Sequence, residues 1–185
     1  MKKKIWISVA AIALILCCAI GGTLAWLKTS TTPVTNTFTV GDINIELKET
    51  TTDYKMVPGN KIDKDPKVTV KEGSEACWLF VKVGESANLT DFIEYKVNTA
   101  EGEWKLVPGE THVYYREVDA DTAKVGKTYS ILTDNKVKVF DTVTKADLNG
   151  LNEATYPTLI FTAYAVQKEH FDTAAAAWEQ AQNKN

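Results

Sequence analysis

The chain has 185 residues, 44% of them hydrophobic and 24% charged, with a formal net charge of −3. That length suits one domain with appendages, and the near-neutral balance lacks the clustered basic surface that nucleic acid demands. Aromatics at 10%, with many Val and Ile, can build a core, which excludes wholesale disorder.

Lys2, Lys3 and Lys4 precede an almost unbroken apolar run from Ile5 to Ile20, followed by Gly21, Gly22, Thr23, Leu24 and Ala25. A basic start, an apolar run and small residues before a cut make the plan of an export signal. Gly21 and Gly22 weaken the helix, so the next residues can lie extended in a peptidase cleft. Thr23 and Ala25 are small, and the predicted cut falls between Ala25 and Trp26. Residues 1–25 are then a cleaved signal peptide. The remaining 160 residues carry 18 basic and 24 acidic side chains, net −6. The competing reading is an uncleaved anchor, since Ile5 to Leu27 is 23 residues and could span a bilayer. The Thr-rich sequence that follows lacks the basic flank of a stop-transfer segment. A lipoprotein cut is disfavoured because Leu16, not a small residue, precedes Cys17. Cys17 and Cys18 leave with the signal, so the mature chain keeps Cys77 alone, with no internal disulfide. Cys77 lies in an apolar strand pattern and reads as a buried, inert thiol.

Residues 26–37, WLKTSTTPVTNT, show no helical periodicity and read as an extended arm, with Trp26, Leu27, Val34 and Thr35 as its assembly candidates. The arm precedes a predicted domain at 38–185. Phe38 and Val40 share one face, and the alternation resumes out of step at Ile43, Ile45 and Leu47. A β-bulge at Gly41 would restore the face. Val68 and Val70 alternate. Residues 76–83, ACWLFVKV, are apolar on both faces up to Lys82 and predict a central strand. Alternation returns at Ile93, Tyr95 and Val97, at Trp104 and Leu106, at Val113 and Tyr115, at Tyr129 and Ile131, and at Val137 and Val139. Residues 158–166, TLIFTAYAV, predict a second central strand.

Val57-Pro58-Gly59 and Val107-Pro108-Gly109 fit type II turns. Residues 144–156 read as a long polar loop with one helical turn. Asp172 is the predicted cap of a C-terminal helix whose Ala174–Ala177 block favours helix and whose Trp178 docks on the sheet. Eight to ten strands with one short terminal helix give an all-β fold, a jelly-roll-like β-sandwich.

Three stretches carry a resemblance: GGTLAWLKTSTTPVTNTFTVGDINIEL at 21–47, VPGNKIDKDPKVTVKEGSEACWLFVKV at 57–83, and LIFTAYAVQKEHFDTAAAAW at 159–178. Together they resemble the TasA/camelysin family of exported biofilm-matrix proteins of Gram-positive bacteria; residues 84–155 are outside the resemblance. It implies a jelly roll, a leader removed by a dedicated ER-type signal peptidase, and a secreted protein of the matrix or cell surface. It also implies polymerisation with itself or related matrix proteins by donor-strand exchange, in which the N-terminal arm of one subunit completes the sheet of the next. No membrane attachment is expected after cleavage. The arm departs from the fibre-former's in holding Pro33 and mostly Thr side chains.

The resemblance also implies an alternative, since camelysin is a cell-surface metalloprotease. The residues argue against it. A zinc protease wants His-Glu-x-x-His on one helical face, and this chain has only His112 and His170, 58 residues apart. Asp119-Ala120-Asp121 lacks the glycine and glutamate of a calcium loop. Glu101 and Glu103 flank a turn glycine and signal no acid/base pair. No catalytic residue, metal ligand or cofactor is therefore expected. A third reading is a monomeric carbohydrate-binding module using Trp78, Trp104, Tyr114, Tyr115 and Tyr129, which otherwise pack the core.

Sequencing the N-terminus of the extracellular protein is expected to read Trp-Leu-Lys-Thr. An intact leader on washed membranes would favour the anchored form instead.

Overall fold

The computed structural model describes residues 42–51 and 54–183. Those residues form an all-β body of three antiparallel sheets and a few short helices. The strands are β1 (Ile45–Lys48), β2 (Lys61–Asp63), β3 (Lys67–Val70), β4 (Cys77–Glu85), β5 (Ile93–Val97), β6 (Lys105–Leu106), β7 (Val113–Val118), β8 (Lys127–Ser130), β9 (Leu132–Val139) and β10 (Leu159–Gln167). The helices are α1 (Leu89–Phe92), α2 (Ala120–Val125), α3 (Lys145–Asn149) and α4 (Ala174–Gln182), with a 3-10 turn at Lys168–His170. The sheet orders are β1-β3-β8, β10-β4-β7-β6 and β2-β9-β5.

Main-chain hydrogen bonds join the first and third sheets. Lys64 N donates to Asn135 O at 2.8 Å, and Ile131 N donates to Pro66 O at 3.0 Å. They carry the pairing of β2 with β9 across to that of β3 with β8. Extra residues in the return strand are taken up at Asp134 and Asn135, both left-handed at φ 55° and 52°. Asp and Asn tolerate that conformation better than most side chains. Ile131 lies between β8 and β9 and is buried in the same cluster as Tyr129.

β4 organises the core. One of its faces carries Cys77, Leu79, Val81 and Val83, which pack with Val68, Val70, Trp104, Tyr129 and Ile131. Its opposite face carries Trp78 and Phe80, which pack beneath Ala174, Ala177, Trp178 and Ala181 of α4. Those four helix residues recur at i, i+3, i+4 and i+7, one stripe of a helix, and three are alanines that let the axis approach the sheet closely. Trp178 lies 5.3 Å from Phe80 and 5.2 Å from Tyr164 between ring centres, and its Nε1 donates to Glu110 Oε1 at 2.8 Å. The helix cap is Thr173, not Asp172: Thr173 is the extended residue immediately before Ala174, and its hydroxyl accepts from Ala176 N at 3.3 Å.

Both Val-Pro-Gly turns close as the sequence predicts. Asn60 N donates to Val57 O and Glu110 N to Val107 O, each at 3.0 Å, with Gly59 and Gly109 at φ 76° and 88°. The polar stretch after Val143 contains α3, held by a reciprocal capping box between Thr144 and Asp147. Trp104 and Leu106 do not share a fate. Trp104 is buried with its Nε1 donating to Ser130 O at 2.8 Å, whereas Leu106 is exposed in the two-residue strand β6. Ile93, Tyr95 and Val97 form β5, with a register shift between Tyr95 and Val97. Phe38, Val40 and the Gly41 bulge lie outside the described residues.

Trp178→Ala removes the bolt between α4 and the sheet. It is expected to lower the unfolding free energy by about 3–5 kcal/mol in urea titrations. A loss below about 1 kcal/mol would show that α4 contributes little to the core.

Candidate functional site

β10 is the structural feature that departs most from its sequence prediction. It reads as central, yet among the described strands it lies at the edge of its sheet. On one side it pairs with β4 in an unbroken nine-residue register from Leu159↔Glu85 to Gln167↔Cys77. Among the described residues no strand pairs with its other side. Leu159, Phe161, Ala163 and Ala165 face the core beside Ile45 and Leu47 of β1, while Tyr164 and Val166 lie under α4. None of the nine residues is fully buried.

Sheet edges are ordinarily blunted by shortness, charge, proline or bulges, because an open row of N–H and C=O groups templates further pairing. The other edges here follow that rule. β2 has three residues and carries Lys61 and Asp63; β1 has four and carries Glu46 and Lys48; β8 has four and carries Lys127; β6 has two. β5 carries Glu94 and Lys96 and is bulged. β10 is long, regular and free of charge, proline and glycine from Leu159 to Gln167.

An apolar cleft of about 940 Å³ opens where β10 begins. Met56, Ile62, Leu89, Val137, Leu151 and Tyr156 contribute to its lining together with Leu159 and Ile160 of β10. Three of the exposed large apolar residues, Val57 at 48%, Tyr156 at 52% and Ile160 at 59%, gather at this one cleft. Lys55, Lys64 and Glu153 also line it, and Lys64 Nζ lies 2.7 Å from Glu49 Oε1 and 4.8 Å from the centre of the Tyr54 ring. Burial, then the Tyr54 hydroxyl's bond to Glu49, raises the Tyr54 pKa. At the Gln167 end a smaller recess is lined by Ala76, Trp78 and Phe171 together with Glu117, Lys168, Glu169 and Asp172.

Ala25, Trp26, Leu27, Val34, Thr35 and the rest of the 26–37 arm lie outside the described residues. The two histidines are exposed and sit at opposite ends of β4. His112 precedes Val113, the partner of Lys82, and His170 closes the turn that begins where Lys168 N donates to Ala76 O. His112 Nδ1 lies 3.5 Å from Glu85 Oε1, and Glu85 also accepts the Tyr95 hydroxyl. Burial first, then Glu85, raises the Tyr95 pKa, so the phenol stays protonated. Among the described residues no three His, Cys, Asp or Glu side chains converge as a metal site.

The other candidates have structural employment. Asp119 caps α2, accepting from Thr122 N at 2.8 Å and from its hydroxyl at 2.9 Å; these bonds lower its pKa. Asp121 is exposed in the first turn of that helix. Glu103 pairs with Arg116 at 3.1 Å, and the guanidinium lies 3.8 Å from the centre of the Tyr129 ring; Glu101 is exposed in the preceding turn. Cys77 is fully buried, and burial pushes its thiol up to about 11, which makes it a poor nucleophile. Trp78, Trp104 and Tyr129 are buried, and Tyr114 and Tyr115 half-buried, so these five rings present no open stacking platform.

No protein-family model, curated protein or solved structure matches the chain. No helix among the described residues is long and apolar enough to cross a membrane.

The sequence reading missed two features, the open edge and the cleft. The absence of any charge from Leu159 to Val166 was the available signal for the first. The cleft left none, because its walls come from segments spread over Tyr54 to Ile160.

Proposed function

We propose that this is an exported, non-enzymatic matrix or surface protein of a Gram-positive bacterium that assembles by strand addition. In this reading a dedicated signal peptidase removes residues 1–25. The arm Trp26–Thr37 of one subunit then pairs with β10 of the next, or of a related matrix protein. The fold is read as a jelly roll whose last strand awaits a neighbour.

The observation that carries the proposal is the outer edge of β10, which no described strand pairs. A nine-residue strand that is apolar, regular and uncharged is an aggregation hazard in a lone exported subunit and a docking surface in a polymer. Strand addition draws affinity from main-chain hydrogen bonds and specificity from side-chain pockets. The arm's composition supports it: Thr29, Thr31, Thr32, Val34 and Thr35 are β-branched and suit a sheet. Pro33 lacks a donor and would face away from the acceptor ladder. The resemblance of residues 21–47, 57–83 and 159–178 to the TasA/camelysin proteins points the same way.

Deleting residues 26–36 from the mature protein is expected to abolish high-mass species in light scattering while nearly preserving the monomer's thermal transition. Fibres that form unchanged without the arm would remove this mechanism.

A further inference from the structure

The direction in which the main chain of β10 bonds is fixed at both of its ends. Ser86 N donates to Thr158 O at 3.0 Å, and Lys168 N donates to Ala76 O at 2.9 Å. Both pairs continue the unbroken register of β10 on β4. Bonded and non-bonded pairs alternate along an antiparallel ladder, so Ile160, Thr162, Tyr164 and Val166 also turn their main-chain groups toward β4. Leu159, Phe161, Ala163, Ala165 and Gln167 turn theirs outward, where no described strand meets them. Ala163 is the midpoint of the strand and of this outward set.

We infer that β10 pairs antiparallel with β10 of a second copy of this chain, about a two-fold axis at Ala163, and that this dimer is a resting form of the subunit. The pairing itself needs nothing from the arm. Only the resting role rests on the strand-addition reading: the two occupants of β10 exclude each other, so the dimer must part before β10 accepts an arm.

The strand is complementary to itself. With Ala163 opposite Ala163, every residue of β10 has a partner and every outward N–H and C=O is answered. Leu159 bonds with Gln167, Phe161 with Ala165, and Ala163 with its own copy. Centring the axis on any other residue leaves outward groups unpaired. The side chains fit by size. Phe161 lies across from Ala165, and Ala163 brings no bulk to the axis. On the other face Ile160, 59% exposed, meets Val166, and the exposed Thr162 meets Tyr164. Aromatic and β-branched neighbours across strands are a favourable combination. Charge permits the pairing as well. A charged residue near a two-fold axis approaches its own copy, and like charges opposed across strands destabilise a sheet. No charge occurs from Leu159 to Gln167, and Lys168, just beyond, falls opposite Thr158. One strand pair falls short of the roughly 1,200 Å² that stable complexes bury, so the dimer dissociates readily, as a resting form requires.

The test takes the mature full chain beginning at Trp26. Sedimentation velocity from about 1 μM to about 1 mM is expected to show a reversible monomer–dimer step before any high-mass species. Where the dimer is most populated, mixed isotope-labelled and unlabelled subunits are expected to give filtered NOEs between copies, from Thr162 to Tyr164 and from Ile160 to Val166. Across the proposed junction these Cα pairs lie about 4.5 Å apart, whereas within one strand they lie about 7 Å and about 20 Å apart. Thr162→Lys, at an exposed site, is expected to raise the dimer dissociation constant at least about tenfold while keeping the thermal transition of the monomer. Val125→Lys, at an exposed residue outside β10, is expected to leave it unchanged. A chain that stays monomeric, that passes straight to high-mass species, or whose dimer lacks these contacts overturns the pairing, as does a Thr162→Lys variant that dimerises like the parent. Deleting residues 26–36 separates the two readings. A dimer lost with the arm overturns the β10 pair and leaves strand addition standing. A dimer kept, with high-mass assembly also unchanged, supports the β10 pair and removes strand addition.

Discussion

The two-faced burial of β4 determines the rest of the structure. Cys77 to Val81 alternate between a core shared with β3 and a second core beneath α4, and all five are buried. A strand apolar on both faces is stable only when both are covered, so α4 is an obligatory layer of the fold. β4 also needs a partner on each edge. β7 supplies one and β10 the other, and in supplying it β10 becomes the margin of the sheet.

That position is where the structure differs from the sequence expectation: TLIFTAYAV is apolar on both faces and predicts a central strand, whereas no described strand pairs its outer side. Face burial and edge pairing are separate properties, however. Ala163 and Phe161 fill the core side, and Tyr164 and Val166 lie under α4, so composition is satisfied without a second neighbour. Pattern reading succeeded where local chemistry decides. It found the β4 run, the Val-Pro-Gly turns and the docking of Trp178. At Tyr129 and Ile131 the alternation places both side chains in one core cluster, while the strand itself ends at Ser130 and a new one starts at Leu132. Pattern reading placed the helix cap one residue early, since Asp172 and Thr173 are both capable and only the backbone conformation chooses between them.

The polar side chains singled out by the sequence are occupied with architecture. Asp119 caps a helix, and Glu103 steadies Arg116 against Tyr129. Among the described residues, the outer edge of β10 is a row of main-chain groups that no strand pairs, beside an apolar cleft. In this account the protein works by presenting an edge that another strand can complete, with side-chain pockets selecting which strand it is.

Residue-resolved hydrogen exchange of β10, compared between monomer and assembled protein, tests this most directly. Amides of a ladder bonded on one side only divide by direction: those donating to β4 are protected, and the alternate ones face solvent. The account predicts that the outward amides between Leu159 and Gln167 exchange rapidly in the monomer and become protected on assembly, while β4 is protected in both. Outward amides already as slow as those of β4 in the monomer, or still fast in the fibre, would contradict it.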